Sequence, residues 1–112
     1  MQYEDRIRLY HMIDACKDVI DFSADCKQSD LDSDRKLLLA IVKSIEIVGE
    51  AASKLTDEAK GNAPEIPWRA IIAMRNRLIH GYFDIDTDIV WKTVNEEIPG
   101  LLQSLEEIVS KN

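Results

Sequence analysis

Arg75, Asn76, His80 and Tyr82 crowd into one short stretch, and their types suit the handling of an anion and a proton. An arginine presents a planar, permanently charged donor fork that fits carboxylate or phosphate. A histidine exchanges protons near neutral pH and serves as a general acid or base. Between Trp68 and Phe83 stand three arginines, Arg69, Arg75 and Arg77, and no acidic residue, so the stretch is a local basic island. Each member also has a plainer reading. Arg75 can be a structural ion pair with Glu46 or Glu50. His80 can bond the last free carbonyls of a helix. Tyr82 can be a half-buried packing aromatic.

A helix from Pro67 to Gly81 is expected to carry these residues, with Pro67 at its first position and Gly81 as its stop. At about 100° per residue, Trp68, Ile71, Ile72, Met74, Leu78 and Ile79 fall in one apolar arc, and Arg75 falls near its middle. A charge there costs several kcal/mol unless it is paired or kept wet. On the same wheel Arg75 and His80 are about 140° apart. They converge only if His80 turns inward at a frayed end, or if two subunits share the site.

Helical periodicity dominates the remainder, with no strand-like alternation. The first helix is expected from about Tyr3 to Cys26, with Ile7, Tyr10, Ile13, Cys16, Ile20 and Phe22 near one face. Gln28 to Ser33 reads as a polar turn rich in capping residues. The second long helix has Leu38, Ile41, Ile45, Val48, Ala52 and Leu55 at core spacing, and Gly49 within that stripe suggests a close backbone approach. Thr56-Asp57-Glu58 can cap one extra turn. The last helix runs through Trp91, Val94 and Ile98, is kinked or broken at Pro99-Gly100, and resumes with Leu101, Leu102, Leu105, Ile108 and Val109. The expected fold is all-α, an antiparallel four- to five-helix bundle in one domain spanning residues 1–112.

A net charge of −7, from 14 basic and 21 acidic residues, argues against broad electrostatic binding of nucleic acid. The basic island can still hold a phosphate while the acidic remainder faces a protein partner. No apolar run approaches the roughly 20 residues of a bilayer span, and the N-terminus lacks a signal-peptide layout, so a cytoplasmic address is expected. Cys16 and Cys26, if on one helix, lie about 15 Å apart and read as small hydrophobes in a reducing compartment.

The pattern Arg75-Asn76-x-x-x-His80-x-Tyr82 resembles the Arg-x4-His-x-Tyr motif of HepT toxins in the HEPN superfamily. The flanks agree, with Ile45 to Ala52 and Pro64 to Arg69 upstream and Phe83 to Asp86 and Val90-Trp91 downstream, so the resemblance covers nearly the whole chain. It implies an endoribonuclease toxin that needs no metal or other cofactor and acts as a homodimer with its two motifs in a shared cleft. It further implies a partner, a minimal nucleotidyltransferase antitoxin of the MntA type, which silences the nuclease by transferring AMP from ATP to Tyr82. In that setting Arg75 and His80 are the catalytic candidates and Asn76 a supporting one. The rival reading is a helical module that docks a nucleotidyltransferase and cuts nothing.

Other features have structural readings. Asp84, Asp86 and Asp88 suit helix capping better than metal binding. Trp68 and Trp91 suit core or interface packing, and His11 the surface. Leu39 and Ile47 project from the main stripe of the second helix, where they can form the dimer contact.

Overall fold

The computed structural model describes residues 1–80 and 84–111. Two long helices come first: α1 (Tyr3–Ser23) and α3 (Arg35–Ser53), separated by the short α2 (Gln28–Ser33). A single turn, α4 (Asp57–Gly61), leads to the short helices α5 (Trp68–Ile72) and α6 (Met74–Leu78). A small antiparallel ladder of β1 (Ile79–His80) and β2 (Asp84–Ile85) follows, and then α7 (Thr87–Lys92), a π-helical turn (Thr93–Glu97) and α8 (Ile98–Lys111). The all-α expectation holds, with the two-residue strands as its exception.

Long-range contacts set the helix directions. Asp5, in the first turn of α1, accepts hydrogen bonds from the backbone N–H (3.0 Å) and hydroxyl (2.7 Å) of Thr56, just past the end of α3. Arg6 reaches the carbonyl of Val109 near the end of α8. Therefore α1 runs antiparallel to both α3 and α8. Leu9, Met12, Ile13, Cys16 and Val19 of α1 are buried against Ile41, Ile45, Val48 and Ala52 of α3 and Ile98, Leu101 and Leu105 of α8. Burying each such side chain contributes about 1.5–3 kcal/mol. The stripe of α3 is as expected. On α1 the inward face differs: Tyr10 and Phe22 are exposed, and Leu9, Met12, Ala15 and Val19 take the core positions. Tyr10 lies beneath the Arg6 guanidinium, 5.6 Å from its ring centroid.

Capping defines several starts. Asp34 accepts from Leu37 N to begin α3, Thr56 from Ala59 N to begin α4, and Asp86 from Ile89 N to begin α7. Gln28 to Ser33 is itself a helix rather than a turn, because the fully buried Leu31 anchors it to the core. Pro67 is the residue before α5, one place earlier than its expected first-turn position. Pro99-Gly100 does not break the last helix. Pro99 has no N–H for the carbonyl of Asn95, and the π-helical turn immediately before it absorbs the defect, so helix continues from α7 to α8.

Gly49 is indeed a point of close approach. A Cβ there would lie 3.1 Å from the carbonyl oxygen of Ile71 and 3.2 Å from that of Ile72. Trp68 secures the other end of α5, its indole N–H donating to the carbonyls of Lys60 (2.9 Å) and Ala63 (3.0 Å). Both cysteines are free, and burial pushes the Cys16 thiol up to about 12, so it acts as a small hydrophobe. Among the described residues no helix is long and apolar enough to cross a membrane.

Replacing Gly49 with valine will force branched methyls onto backbone carbonyls and lower the unfolding free energy by about 1–3 kcal/mol, read from urea denaturation. Asp5→Ala removes both acceptors of Thr56 in a buried place, and an expected loss of about 1–3 kcal/mol should appear in the same measurement.

Candidate functional site

The expected helix from Pro67 to Gly81 is divided. In a continuous helix the N–H of Asn76 would bond the carbonyl of Ile72; here it bonds that of Ala73, at 3.0 Å. The carbonyls of Ile71 and Ile72 are turned against Gly49 at this interruption. Helix α6 then buries Met74 and Leu78, one turn apart, and this choice of inward face turns Arg75 outward. Arg75 therefore does not point into the core, as the uninterrupted wheel implied. Ile72, assigned to the same apolar arc, is also exposed.

Arg75 sits at a recess of about 320 Å³ lined by Glu46, Gly49, Glu50, Ser53, Ile72, Arg75 and Asn76. Its Nε is 3.5 Å from Glu46 Oε1, with side chains 52% and 28% exposed. The pair anticipated with Glu46 or Glu50 is thus formed with Glu46, at the surface; Glu50 faces Lys54 at 3.5 Å. A pair so exposed contributes at most about 1 kcal/mol. Among the described residues the Nη groups of Arg75 have no hydrogen-bond acceptor, so four of the five N–H donors of the guanidinium are open to an anion. Arg77 points elsewhere, its two Nη atoms gripping Glu97 at 3.3 and 3.0 Å. The basic island is partly neutralised by carboxylates from other elements.

His80 leaves the helix altogether. Ile79 adopts an extended backbone, and Ile79 and His80 pair with Ile85 and Asp84. Strand alternation turns the isoleucines toward the core and exposes His80 and Asp84. The N–H of Asp86 closes the end of α6 by donating to the carbonyl of Leu78 at 2.7 Å. The Asp86 side chain then lies beside the imidazole, with Oδ2 3.3 Å from His80 Nε2 and Oδ1 accepting from Ile89 N at 3.1 Å. The Ile89 N–H first, and then the hydrogen bond and charge of His80, hold the Asp86 carboxyl below the usual carboxylate range. Stability linked to that depression is present above the ordinary carboxylate pKa and is lost as pH falls through the lowered one.

Arg75 and Asn76 therefore share the recess beside α3, and His80 occupies the exposed edge of the ladder. Among the described residues no hydrogen bond or ion pair joins Arg75 to His80. Tyr82 lies outside the described residues. Asp86 caps a helix as expected, and its contact with His80 is an addition; an acid six residues after a histidine carries no signal of such pairing. Asp88 instead accepts from Gln28 of α2, and Thr87 donates to Asp32 at 2.9 Å. His11 is exposed, Trp68 and Trp91 are half-buried against the core, and Leu39 and Ile47 are exposed on α3.

Comparison with known proteins identifies the family. A family model described as "Ribonuclease HepT-like" matches residues 12–108. The "Probable ribonuclease HepT" of Thermococcus cleftensis is 36% identical over 100 residues, 89% of this chain and 91% of its own. A Caldanaerobacter subterraneus protein named "Putative RNase TTE0752" is 36% identical over 103 residues, covering 92% of each. A Methanocaldococcus jannaschii protein named "Putative RNase MJ0127" is 34% identical over 104 residues, 93% of this chain and 86% of its own. No solved structure gives a significant match. The family match takes in the helical core, the recess and the ladder edge together, and the chain belongs to the HepT-like ribonuclease family of the HEPN superfamily.

Proposed function

We propose that this protein is the toxin of a toxin–antitoxin pair, an endoribonuclease that uses Arg75 and His80 and no metal. The observation that carries the reading is the outward presentation of both side chains from a buried scaffold, with Nη groups of Arg75 open to an anion and His80 held on an exposed strand edge. RNA contains its own nucleophile. The 2′-hydroxyl attacks the adjacent phosphorus, the P–O5′ bond breaks, and the products are a 2′,3′-cyclic phosphate and a 5′-hydroxyl. One proton leaves the 2′-oxygen and one must reach the 5′-oxygen.

A neutral imidazole accepts the first proton and an imidazolium supplies the second. Arg75 would stabilise the charge that builds on the phosphoryl oxygens, and Asn76 at the same recess would orient the phosphate. One chain provides one such histidine, so a homodimer with the two recesses facing each other would furnish both proton carriers. The exposed Leu39, Ile47 and Ile72 offer apolar area beside the recess for that contact. The acidic remainder of the surface suits a protein partner, and the proposed one is an MntA-like nucleotidyltransferase that adds AMP to Tyr82. A bulky, negatively charged adduct two residues from His80 would obstruct and repel the RNA backbone.

A second reading has support in the pairing of Arg75 and Arg77 with Glu46 and Glu97 on a chain of net charge −7. Under it the protein is a non-catalytic helical module that docks the nucleotidyltransferase. Expression without the partner separates the two, because a toxin arrests growth and a module does not.

Purified Arg75→Ala and His80→Ala variants, shown folded by circular dichroism, should each lose about 10²-fold or more of RNA-cleaving activity and relieve growth arrest. Parent-level cleavage by either would remove that residue from the mechanism. Co-expression with the partner and ATP should add whole AMP masses to the chain, and Tyr82→Phe should abolish the gain; unchanged labelling would move the modification elsewhere.

A further inference from the structure

We infer that Asp86 is a positioning residue for His80, coupling the imidazole to the start of α7 and leaving Nδ1 as the nitrogen that exchanges the proton with RNA. The inference rests on the nuclease reading proposed above. Its geometry is a division of labour within one carboxylate. Oδ1 is committed to the Ile89 N–H, which fixes the group at the first turn of α7, and Oδ2 is left facing His80 Nε2 at 3.3 Å. The Asp86 backbone is itself tied to Leu78 at 2.7 Å, so the carboxylate is held at both its main chain and one oxygen before it meets the histidine. An ionised carboxylate only accepts hydrogen bonds, so the neutral imidazole must carry its proton on Nε2 and its lone pair on Nδ1.

No other acid competes for this contact among the described residues. Elements packed with or adjoining β1 contribute Arg75 and Arg77 on α6, Asp84 on β2, and Asp86 and Asp88 at α7. Arg75 is paired with Glu46, Arg77 with Glu97, and Asp88 with Gln28. Asp84 is opposite His80 in the ladder register, yet the ring makes its hydrogen bond to Asp86. The same contact holds the ring in place when attack of the 2′-hydroxyl delivers a proton to it.

Asp86→Asn isolates this role. Asparagine caps helices as well as aspartate does, so its oxygen keeps the Ile89 bond and its amide turns toward the imidazole. That amide donates where the carboxylate accepted. The neutral ring should then switch to the Nδ1–H tautomer. The 15N–1H correlation spectrum of the imidazoles reads the tautomer without RNA; the chain has only two histidines, and His11→Gln assigns the signals. In cleavage assays the variant should lose roughly ten- to a hundredfold in kcat with KM little changed. Asp84→Asn removes a neighbouring charge and should leave the tautomer as it is. An Nε2–H tautomer retained in Asp86→Asn, or a loss confined to KM, overturns the inference. Failure of the nuclease reading would show separately, as His80→Ala cleaving as well as the parent while the tautomer switch persists.

Discussion

The approach of the α5 carbonyls to Gly49 governs where the chemistry-bearing side chains can go. At 3.1 and 3.2 Å from the position a Cβ would take, the carbonyls of Ile71 and Ile72 come as near to α3 as a helix without a side chain allows. The hydrogen-bond ladder shifts at that point, with Asn76 N–H bonding Ala73 rather than Ile72. Helix α6 can then choose its inward face anew. It buries Met74 and Leu78 and leaves Arg75 at the rim of the recess. A β-carbon at position 49 would press on both carbonyls, and so on the orientation of Arg75.

Electrostatics are arranged in pairs across elements. Glu46 of α3 meets Arg75 and Glu97 of the π-helical turn meets Arg77. These contacts are exposed and therefore weak, so a phosphate could displace a carboxylate from them under the proposed function. The contrast with Asp5 is instructive. Buried beneath the start of α4, Asp5 takes two hydrogen bonds from Thr56 and serves only to join α1 to the end of α3.

The ladder of β1 and β2 explains how a bundle presents a histidine at its edge. Leu78 is buried, Ile79 and Ile85 lean on the core, and His80 and Asp84 face outward. Asp86 ends this excursion by bonding Leu78 with its backbone and starting α7 with its side chain. One residue thus closes one helix, opens the next and touches the ring of His80.

Much was legible from local pattern alone. The stripe of α3, the Thr56 and Asp86 caps, the close approach at Gly49 and the motif from Arg75 to Tyr82 are all properties of residues near one another in the chain, where periodicity and capping chemistry operate. The inward face of α1 was misread at Tyr10 and Phe22, because aromatic character alone does not say which flank of a stripe meets a neighbour. The π-helical turn before Pro99 was also hidden, since it is one of several ways to absorb a missing N–H. The third helix was where local reasoning failed most. A wheel assumes an unbroken ladder, and the interruption at Ala73 lies where the chain packs on Gly49, a residue distant in sequence. Ladders of two residues have no periodicity to detect, so the departure of His80 from the helix was invisible too. The residue types at Arg75 and His80 were settled by the chain itself. Which way they face, and which carboxylates they meet, was decided by tertiary packing, because the buried Met74 and Leu78 and the inward-facing Ile79 and Ile85 leave those two side chains only the surface.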